Sequence, residues 1–317
     1  MLSSPASSPL KTGLIAYGVV AGALFAYNVR WRFIGDCFFG GSKPKILPIR
    51  KVEAATNKKS NNNVIIVLLH GMWHDASWYS KLQHRLQQRG YSSYAIDLLP
   101  GERFLPGFTQ KEIVTDLKQT LILEAENEEV EYILVGHSQG GLVVQSCLQR
   151  CPELHDRTIA TVLLGTYPLG LLPPLRALMK QSRNMYYHMG YAWMCLTGKL
   201  SSLEYLAHIF LLPTTDPSTL PDDYTSKLLK APSDGLITMT HFPQRVGVLS
   251  DKPTLVLGAK EDIIYPPHLF KSDFDNRFPN ATHETVPQQA HCFMDSVSAW
   301  DTDMEDMLID WLDENVQ

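Results

Sequence analysis

The chain has 317 residues, of which 44% are apolar, a size that suits one large α/β domain or one domain with an insertion. The net charge of −5 and the pI near 6.1 are mild, and the chain has no basic block, which argues against a nucleic-acid-binding protein. The five cysteines have no zinc-site spacing, so we expect free thiols and no metal site.

The N-terminal region differs in composition from the rest of the chain. Residues 13–29 carry no charge, and Arg30 and Arg32 follow them directly. This pattern predicts a membrane anchor with the remainder of the chain in the cytosol. The alternative is a transit peptide for a plastid or mitochondrion, because the first 35 residues contain no acid and begin with a serine-rich run. A polar linker ends this region, which spans residues 1–63.

From residue 64 onward, strand and helix patterns alternate along the chain. Continuous apolar runs of strand length alternate with segments of helical spacing that end at Gly, such as the one before Gly90. Strands are predicted at 64–69, 92–96, 131–136, 158–165, 253–259 and 282–286, and helices at 75–89, 109–127, 140–150 and 297–312. The alternation predicts a mostly parallel, doubly wound sheet with helices on both faces.

One long segment interrupts this alternation. Residues 167–243 contain no strand pattern, many prolines and several short helical runs. A structureless loop of this length would be unusual in a compact domain, so we expect a helical cap inserted over one end of the sheet. The cap divides the core into a first part, 64–166, and a second part, 244–317.

The sequence VGHSQGG places a serine on a predicted turn from strand to helix. Ser138 lies two residues after Gly136 and two before Gly140. A sharp strand-to-helix turn crowds the backbone, and small residues relieve that crowding, as in the Gly-x-Ser-x-Gly nucleophile elbow. The pattern predicts that Ser138 is a nucleophile; the alternative is a structural turn serine.

A serine hydroxyl needs a base that accepts its proton. Among eleven histidines, His291 follows the last predicted strand and therefore lies at the edge of the sheet where Ser138 is expected. The alternative for His291 is a surface-loop histidine. His137 is adjacent to Ser138, but neighbouring side chains on such a turn point apart.

The imidazole in turn needs an acid that holds its tautomer. Asp262 lies in the loop after the preceding strand, with Glu261 as its first competitor and Asp295 as its second. Asp295 begins the final predicted helix and is more simply a helix-start acid. The predicted triad is then Ser138, Asp262 and His291 in chain order.

Acyl transfer also needs donors for a developing oxyanion. The backbone amide of Gln139, at the start of the helix, is one predicted donor, and the amide of Met72, in the loop after residues 64–69, is the other. His70 is expected to be a hydrogen-bonded structural residue. His70 and Asp75 match the spacing of a glycerolipid acyltransferase motif, but Asp75 is a natural N-cap for the next helix.

The segments LLHGMWHDASWY, AIDLLPG, VGHSQGG, GAKEDIIYP and AHCFMD resemble, in order and spacing, the serine α/β-hydrolase superfamily with a cap domain. The resemblance spans residues 64–312. It implies a triad of Ser138, Asp262 and His291, oxyanion amides from Met72 and Gln139, and no cofactor. Only one or two strands precede residue 64, so the first edge of the sheet is expected to be short.

The cap sequence bears on the substrate. In residues 185–194, seven of ten residues are Met, Tyr or Trp, which favours an apolar lid and a small-molecule ester with an apolar or lipid-like group. We expect a serine hydrolase of carboxylic or thio esters. The alternatives are an acyltransferase, a C–C hydrolase or a lyase on the same triad, or a catalytically silent binding protein. The oligomeric state is not predicted.

Overall fold

The computed structural model describes residues 44–55, 63–71, 74–98, 110–125, 129–166, 168–169, 247–262, 264–287, 289–291 and 301–316. The predicted anchor at residues 13–29 and almost all of the predicted cap lie outside these ranges. Among the helices within them, none has the length and apolarity that a bilayer crossing requires.

The described strands form one seven-stranded sheet. They are β1 (Ile49–Val52), β2 (Val64–Leu69), β3 (Ser92–Ile96), β4 (Glu131–His137), β5 (Thr158–Leu164), β6 (Thr254–Ala259) and β7 (Ala281–Val286). Their order in the sheet is β1-β3-β2-β4-β5-β6-β7, and every adjacent pair is parallel except β1 with β3. The prediction of a mostly parallel sheet is confirmed.

The antiparallel edge strand β1 has only four residues, and its burial pattern is weak because two of the four are exposed. An edge strand that is half exposed lacks the continuous apolar run that identified β2, where five of six residues are buried. The sequence therefore predicted that the first edge of the sheet is short, but it did not predict which residues form the edge strand.

Helices cover both faces of this sheet. They are α1 (Ser80–Arg89), α2 (Gln110–Glu124), α3 (Gln139–Arg150), α4 (Pro152–Arg157), α5 (Lys271–Asp275) and α6 (Asp301–Asn315), with short 3₁₀ turns at Ala76–Tyr79 and Pro267–Leu269. One apolar core packs α2 and α3 against the sheet, and a second packs α1 and α6 against it. The doubly wound arrangement predicted from the alternation is thus present.

The predicted helix at 75–89 is divided into two parts in the structure. The side chain of Asp75 accepts a hydrogen bond from Ser77 N at 2.7 Å, and this cap begins a 3₁₀ turn before α1. A second carboxylate, that of Asp97 at the end of β3, accepts from Ala76 N at 2.6 Å. The start of this segment is therefore set by two side chains, one of which comes from the residue directly after β3.

The strand order creates a crevice at one position. The chain passes from β2 to β3 on one side and then crosses to β4 on the other side of β2. In doubly wound sheets, ligands bind outside the carboxyl ends of the strands at such a reversal. The loops after β2 and β4, which begin at His70 and Ser138, therefore meet at the position where a site is expected.

Candidate active site

Ser138 lies on the turn between β4 and α3, in a backbone conformation that is rare for a residue with a side chain. Its φ is 52° and its ψ is −115°, and it is the one non-glycine residue with positive φ in the described part of the chain. The turn is held by hydrogen bonds from Ser138 N to Leu164 O (2.9 Å) and from Thr166 Oγ1 to Ser138 O (2.8 Å). These bonds fix the direction in which the hydroxyl points.

The glycines around Ser138 are required by close backbone packing. A Cβ at Gly136 would lie 2.5 Å from the backbone of Gly140, and one at Gly140 would overlap the carbonyl of Leu69. A Cβ at Gly71 would lie 2.9 Å from the Cβ of Ser138 itself. Helix α3 thus begins directly against the end of β2, and the loop after β2 lies beside the serine.

The structure brings Ser138, His291 and Asp262 together in one chain of hydrogen bonds. The distance from Ser138 Oγ to His291 Nε2 is 3.0 Å, and the distance from His291 Nδ1 to Asp262 Oδ2 is 2.8 Å. All three residues are buried. With Nδ1 donating to the carboxylate, Nε2 is left as the acceptor for the serine hydroxyl.

The loops after β6 and β7 are joined by backbone hydrogen bonds, and this joining places Asp262 beside His291. Glu261 N donates to Gln289 O at 2.8 Å. The second carboxylate oxygen of Asp262, Oδ1, accepts from Ile264 N and Tyr265 N at 2.8 Å each. The carboxylate therefore has a fixed orientation, with one oxygen bound to its own loop and the other to the imidazole.

His137 contacts His291 in a way that the sequence did not indicate. His137 Nε2 donates to the backbone oxygen of His291 at 2.9 Å, and the two ring centroids are 5.1 Å apart. Burial lowers the pKa of His137 well below its ordinary value, and the nearby His291 and His74 lower it further. A neutral imidazole beside the serine thus holds the segment that carries His291. The sequence feature that could have indicated this role is the position of His137 directly before the nucleophile.

The predicted oxyanion donors are described only in part. Met72 lies outside the described residues. Gln139 is the first residue of α3, so its amide N–H has no acceptor within the helix. Because Gly71 packs against the Cβ of Ser138, the loop that leads to Met72 runs beside the nucleophile.

His70 is a structural residue, as expected. Its Nδ1 donates to Gly71 O at 2.7 Å, and its Nε2 accepts from Leu98 N at 3.0 Å. Burial lowers the pKa of His70, and a neutral ring is what two such bonds require. The ring fixes the start of the loop after β2.

The other acids that the sequence offered are described only in part. Asp75 caps the 3₁₀ turn, as predicted, so its spacing from His70 reflects helix capping. The imidazole of His291 binds Asp262 rather than the adjacent Glu261, whose side chain is exposed. Asp295 lies outside the described residues.

This arrangement has the chemical elements of nucleophilic acyl transfer: a constrained hydroxyl, a base in hydrogen-bond contact and an orienting carboxylate. Within the described residues, no group of three or more His, Cys, Asp or Glu side chains is placed to hold a metal ion. The fold and this constellation of side chains together define an α/β hydrolase. Residues 66–302 match the model of the alpha/beta hydrolase family, so the chain belongs to this family.

Individual relatives are distant in sequence. An esterase from Thermogutta terrifontis superposes with a TM-score of 0.63 at 18% identity, over 86% of this chain and 94% of that one. A bromoperoxidase from Bacillus anthracis superposes with a TM-score of 0.61 at 16% identity, over 84% and 96%. Norfluorocurarine synthase 1 from Strychnos nux-vomica is 29% identical over 125 residues, which span 39% of this chain and 45% of that relative.

Proposed function

We propose that this protein is a serine hydrolase that cleaves carboxylic or thio esters through an acyl-enzyme intermediate. The observation that carries the proposal is His291, whose two ring nitrogens bind Ser138 at 3.0 Å and Asp262 at 2.8 Å. Esterases among the solved structures with this fold support the same reaction class.

In the first half-reaction, Ser138 Oγ attacks the ester carbonyl while its proton passes to His291 Nε2. Asp262 stabilises the imidazolium that forms, because its Oδ2 accepts from Nδ1. The amides of Gln139 and Met72 stabilise the oxyanion. When the tetrahedral intermediate collapses, the imidazolium gives its proton to the leaving alcohol or thiol, and the acyl group remains on Ser138.

In the second half-reaction, a water molecule gives its proton to His291 Nε2 and attacks the acyl carbonyl. The second tetrahedral intermediate expels Ser138 Oγ, which recovers the proton from the imidazolium. The products are a free acid and the regenerated hydroxyl. No redox step and no additional co-reactant are needed.

The substrate that we propose has an apolar or lipid-like group. Support comes from residues 185–194 of the cap sequence, which are rich in Met, Tyr and Trp. Such side chains provide apolar contact area that suits a long acyl chain better than a sugar or a charged ester. A series of nitrophenyl esters of increasing chain length tests this: kcat/KM should rise from acetate to octanoate, and a preference for acetate would contradict it.

A fluorophosphonate probe tests the nucleophile directly. The purified wild-type protein should be labelled on Ser138, and Ser138→Ala and His291→Ala should each lose labelling while their circular dichroism spectra stay like that of wild type. Asp262→Asn should react at least about 100-fold more slowly, because the imidazole loses the acid that sets its tautomer. A folded wild-type protein that never reacts would contradict the proposal.

A second candidate function is lyase chemistry on the same residues, since one sequence relative is named a synthase rather than a hydrolase. The two functions differ in the covalent intermediate. A hydrolase that follows the mechanism above accumulates an acyl group on Ser138, which intact-protein mass spectrometry detects after a brief reaction with a nitrophenyl ester. A lyase that uses Ser138 and His291 only for proton transfer would release product without that added mass.

For cellular location, we propose a membrane anchor at residues 13–29 with the hydrolase part in the cytosol. The support is the uncharged segment followed by Arg30 and Arg32. Carbonate extraction of membranes tests it: the full-length chain should stay in the pellet, and a chain without residues 1–35 should be released. A shortened mature protein inside a plastid or mitochondrion would support a transit peptide instead.

A further inference from the structure

The side chain of Gln139 is buried next to the nucleophile without hydrogen-bond partners. The residue is 2% exposed, and neither Oε1 nor Nε2 has a partner in the described part of the chain. A buried carboxamide that has lost its water and gained no protein partner is destabilising. Such an orphaned group in a well-packed core indicates that another molecule satisfies it.

A second glutamine on the same helix shows how this fold normally satisfies a buried carboxamide. Gln145 is fully buried; its Nε2 donates to Gly141 O at 3.1 Å, and its Oε1 accepts from Leu169 N at 3.0 Å. The two glutamines lie six positions apart in α3. Among the described residues, Gln139 differs from the other buried glutamines in that both of its carboxamide atoms are buried without a partner.

The position of Gln139 limits what a partner can be. Consecutive Cα atoms are about 3.8 Å apart, so Gln139 is an immediate neighbour of Ser138. The Gly140 side of the helix start lies against the backbone of Leu69, and the Gly141 side lies against Thr166. Residues of an α-helix are spaced by about 100°, so Gln139 projects from a third side of the helix start.

We propose that the Gln139 carboxamide binds a hydroxyl group of the substrate next to the scissile carbonyl. This rests on the proposed ester hydrolysis and adds a specificity-determining residue to it. The carboxamide is neutral and offers one acceptor and two donors. A hydroxyl is the smallest neutral group that uses both kinds of atom, since it donates to Oε1 and accepts from Nε2. The substrate class is then an apolar ester with a hydroxyl beside its ester bond.

Three esters with the same acyl chain length distinguish the two positions that this hydroxyl can occupy, on the alcohol or on the acyl group. Propyl decanoate is the reference, glyceryl monodecanoate carries hydroxyls on the alcohol, and propyl α-hydroxydecanoate carries one on the acyl group. Wild type should cleave one hydroxylated ester with a kcat/KM at least about tenfold above the reference, because a site built around a hydroxyl disfavours an analogue without it. Gln139→Met should reduce that ratio about tenfold.

Thermal stability provides a readout that does not depend on turnover. Gln139→Met should raise the Tm by about 2–4 °C, because an unpaired buried polar group is replaced by an apolar one of similar size. Gln145→Met is the matched control on the same helix and should lower the Tm, because it leaves Leu169 N without its partner.

Two results would overturn the assignment. One is a wild-type enzyme that reacts with the fluorophosphonate probe yet prefers neither hydroxylated ester, or keeps its preference in Gln139→Met. The other is a fall in Tm for Gln139→Met comparable to that of Gln145→Met. Absence of probe labelling in wild type would instead contradict the proposed hydrolase function, so the two failures are distinguishable.

Discussion

At the scale of single residues, Ser138 combines local strain with unusually close packing. A non-glycine residue with φ of 52° and ψ of −115° costs about 1–3 kcal/mol unless its surroundings enforce the conformation. The surroundings here are two hydrogen bonds, to Leu164 and from Thr166, and a helix start that has no room for a Cβ at Gly140. The strained turn directs the hydroxyl away from the end of the sheet and toward His291, which it contacts at 3.0 Å.

His137 should position His291 through the backbone. In His137→Phe the aromatic ring is kept but the donor to His291 O is lost, and the loss of one such hydrogen bond costs about 0.5–1.5 kcal/mol. We expect kcat and the fluorophosphonate labelling rate to fall about tenfold, with KM for a nitrophenyl ester unchanged, because the ester itself does not contact this bond. His137→Gln, which retains an N–H donor, should recover part of the loss. Equal changes in kcat and KM would point to general misfolding of the site.

At the scale of elements, the C-terminal helix α6 is fixed to α1 by ion pairs. Arg85 on α1 binds Glu305 at 2.7 Å and also binds Asp306, and Glu305 has a side chain that is only 5% exposed. Further along α1, Arg89 binds Asp313 at 2.8 Å, but these two side chains are 44% and 40% exposed. The Arg85–Glu305 pair therefore includes a buried carboxylate, whereas the Arg89–Asp313 pair is exposed, and the two pairs can be compared directly.

Arg85→Met should destabilise the protein by about 2–4 kcal/mol, because it leaves a buried carboxylate without its main partner. Arg89→Met should cost less than about 1 kcal/mol, since exposed pairs are weak. Urea unfolding monitored by tryptophan fluorescence measures both. The double variant Arg85→Met/Glu305→Met should regain most of the loss, and a double variant as unstable as the single one would contradict this explanation.

Elements differed in how well the sequence predicted them, and the cause is burial. Strands β2 and β3 are covered on both faces, so their apolar runs mark their ends, and the predicted bounds 64–69 and 92–96 agree with the structure. Strand β1 has two exposed residues, and its partner β3 lies some forty residues away. A pairing of that kind leaves little trace in the local pattern. Similarly, the 3₁₀ turn before α1 depends on Asp97, which lies about twenty residues later in the chain, directly after β3.

At the scale of the whole molecule, burial of neutral histidines links stability to pH. Burial lowers the pKa of both His70 and His137, whereas in the unfolded chain each has its ordinary value of about 6.5. As the pH falls through that value, the unfolded state binds protons that the native state does not bind. Stability is therefore lost as the pH falls below about 6.5, and the loss ends only near the lowered native pKa values.

We expect the free energy of unfolding to fall between pH 7 and pH 5.5, with each of the two histidines contributing up to about 1.4 kcal/mol per pH unit. His137→Phe should remove the contribution of His137, which is about half of the slope that the two histidines supply together. Urea titrations at several pH values measure it. A slope that is the same in wild type and His137→Phe would show that His137 does not titrate differently in the two states.

The sequence by itself determined the class of fold and the identities of Ser138, Asp262 and His291 as candidates, because apolar runs, turn glycines and strand-end positions are local features. Only the tertiary structure decided how these residues meet. Hydrogen bonds between the loops after β6 and β7 place Asp262 on His291, and His137 holds the backbone of His291 from a position 154 residues earlier. The unpaired state of Gln139 is also a tertiary fact, since local pattern predicts that a helix begins there but not which groups surround its side chain.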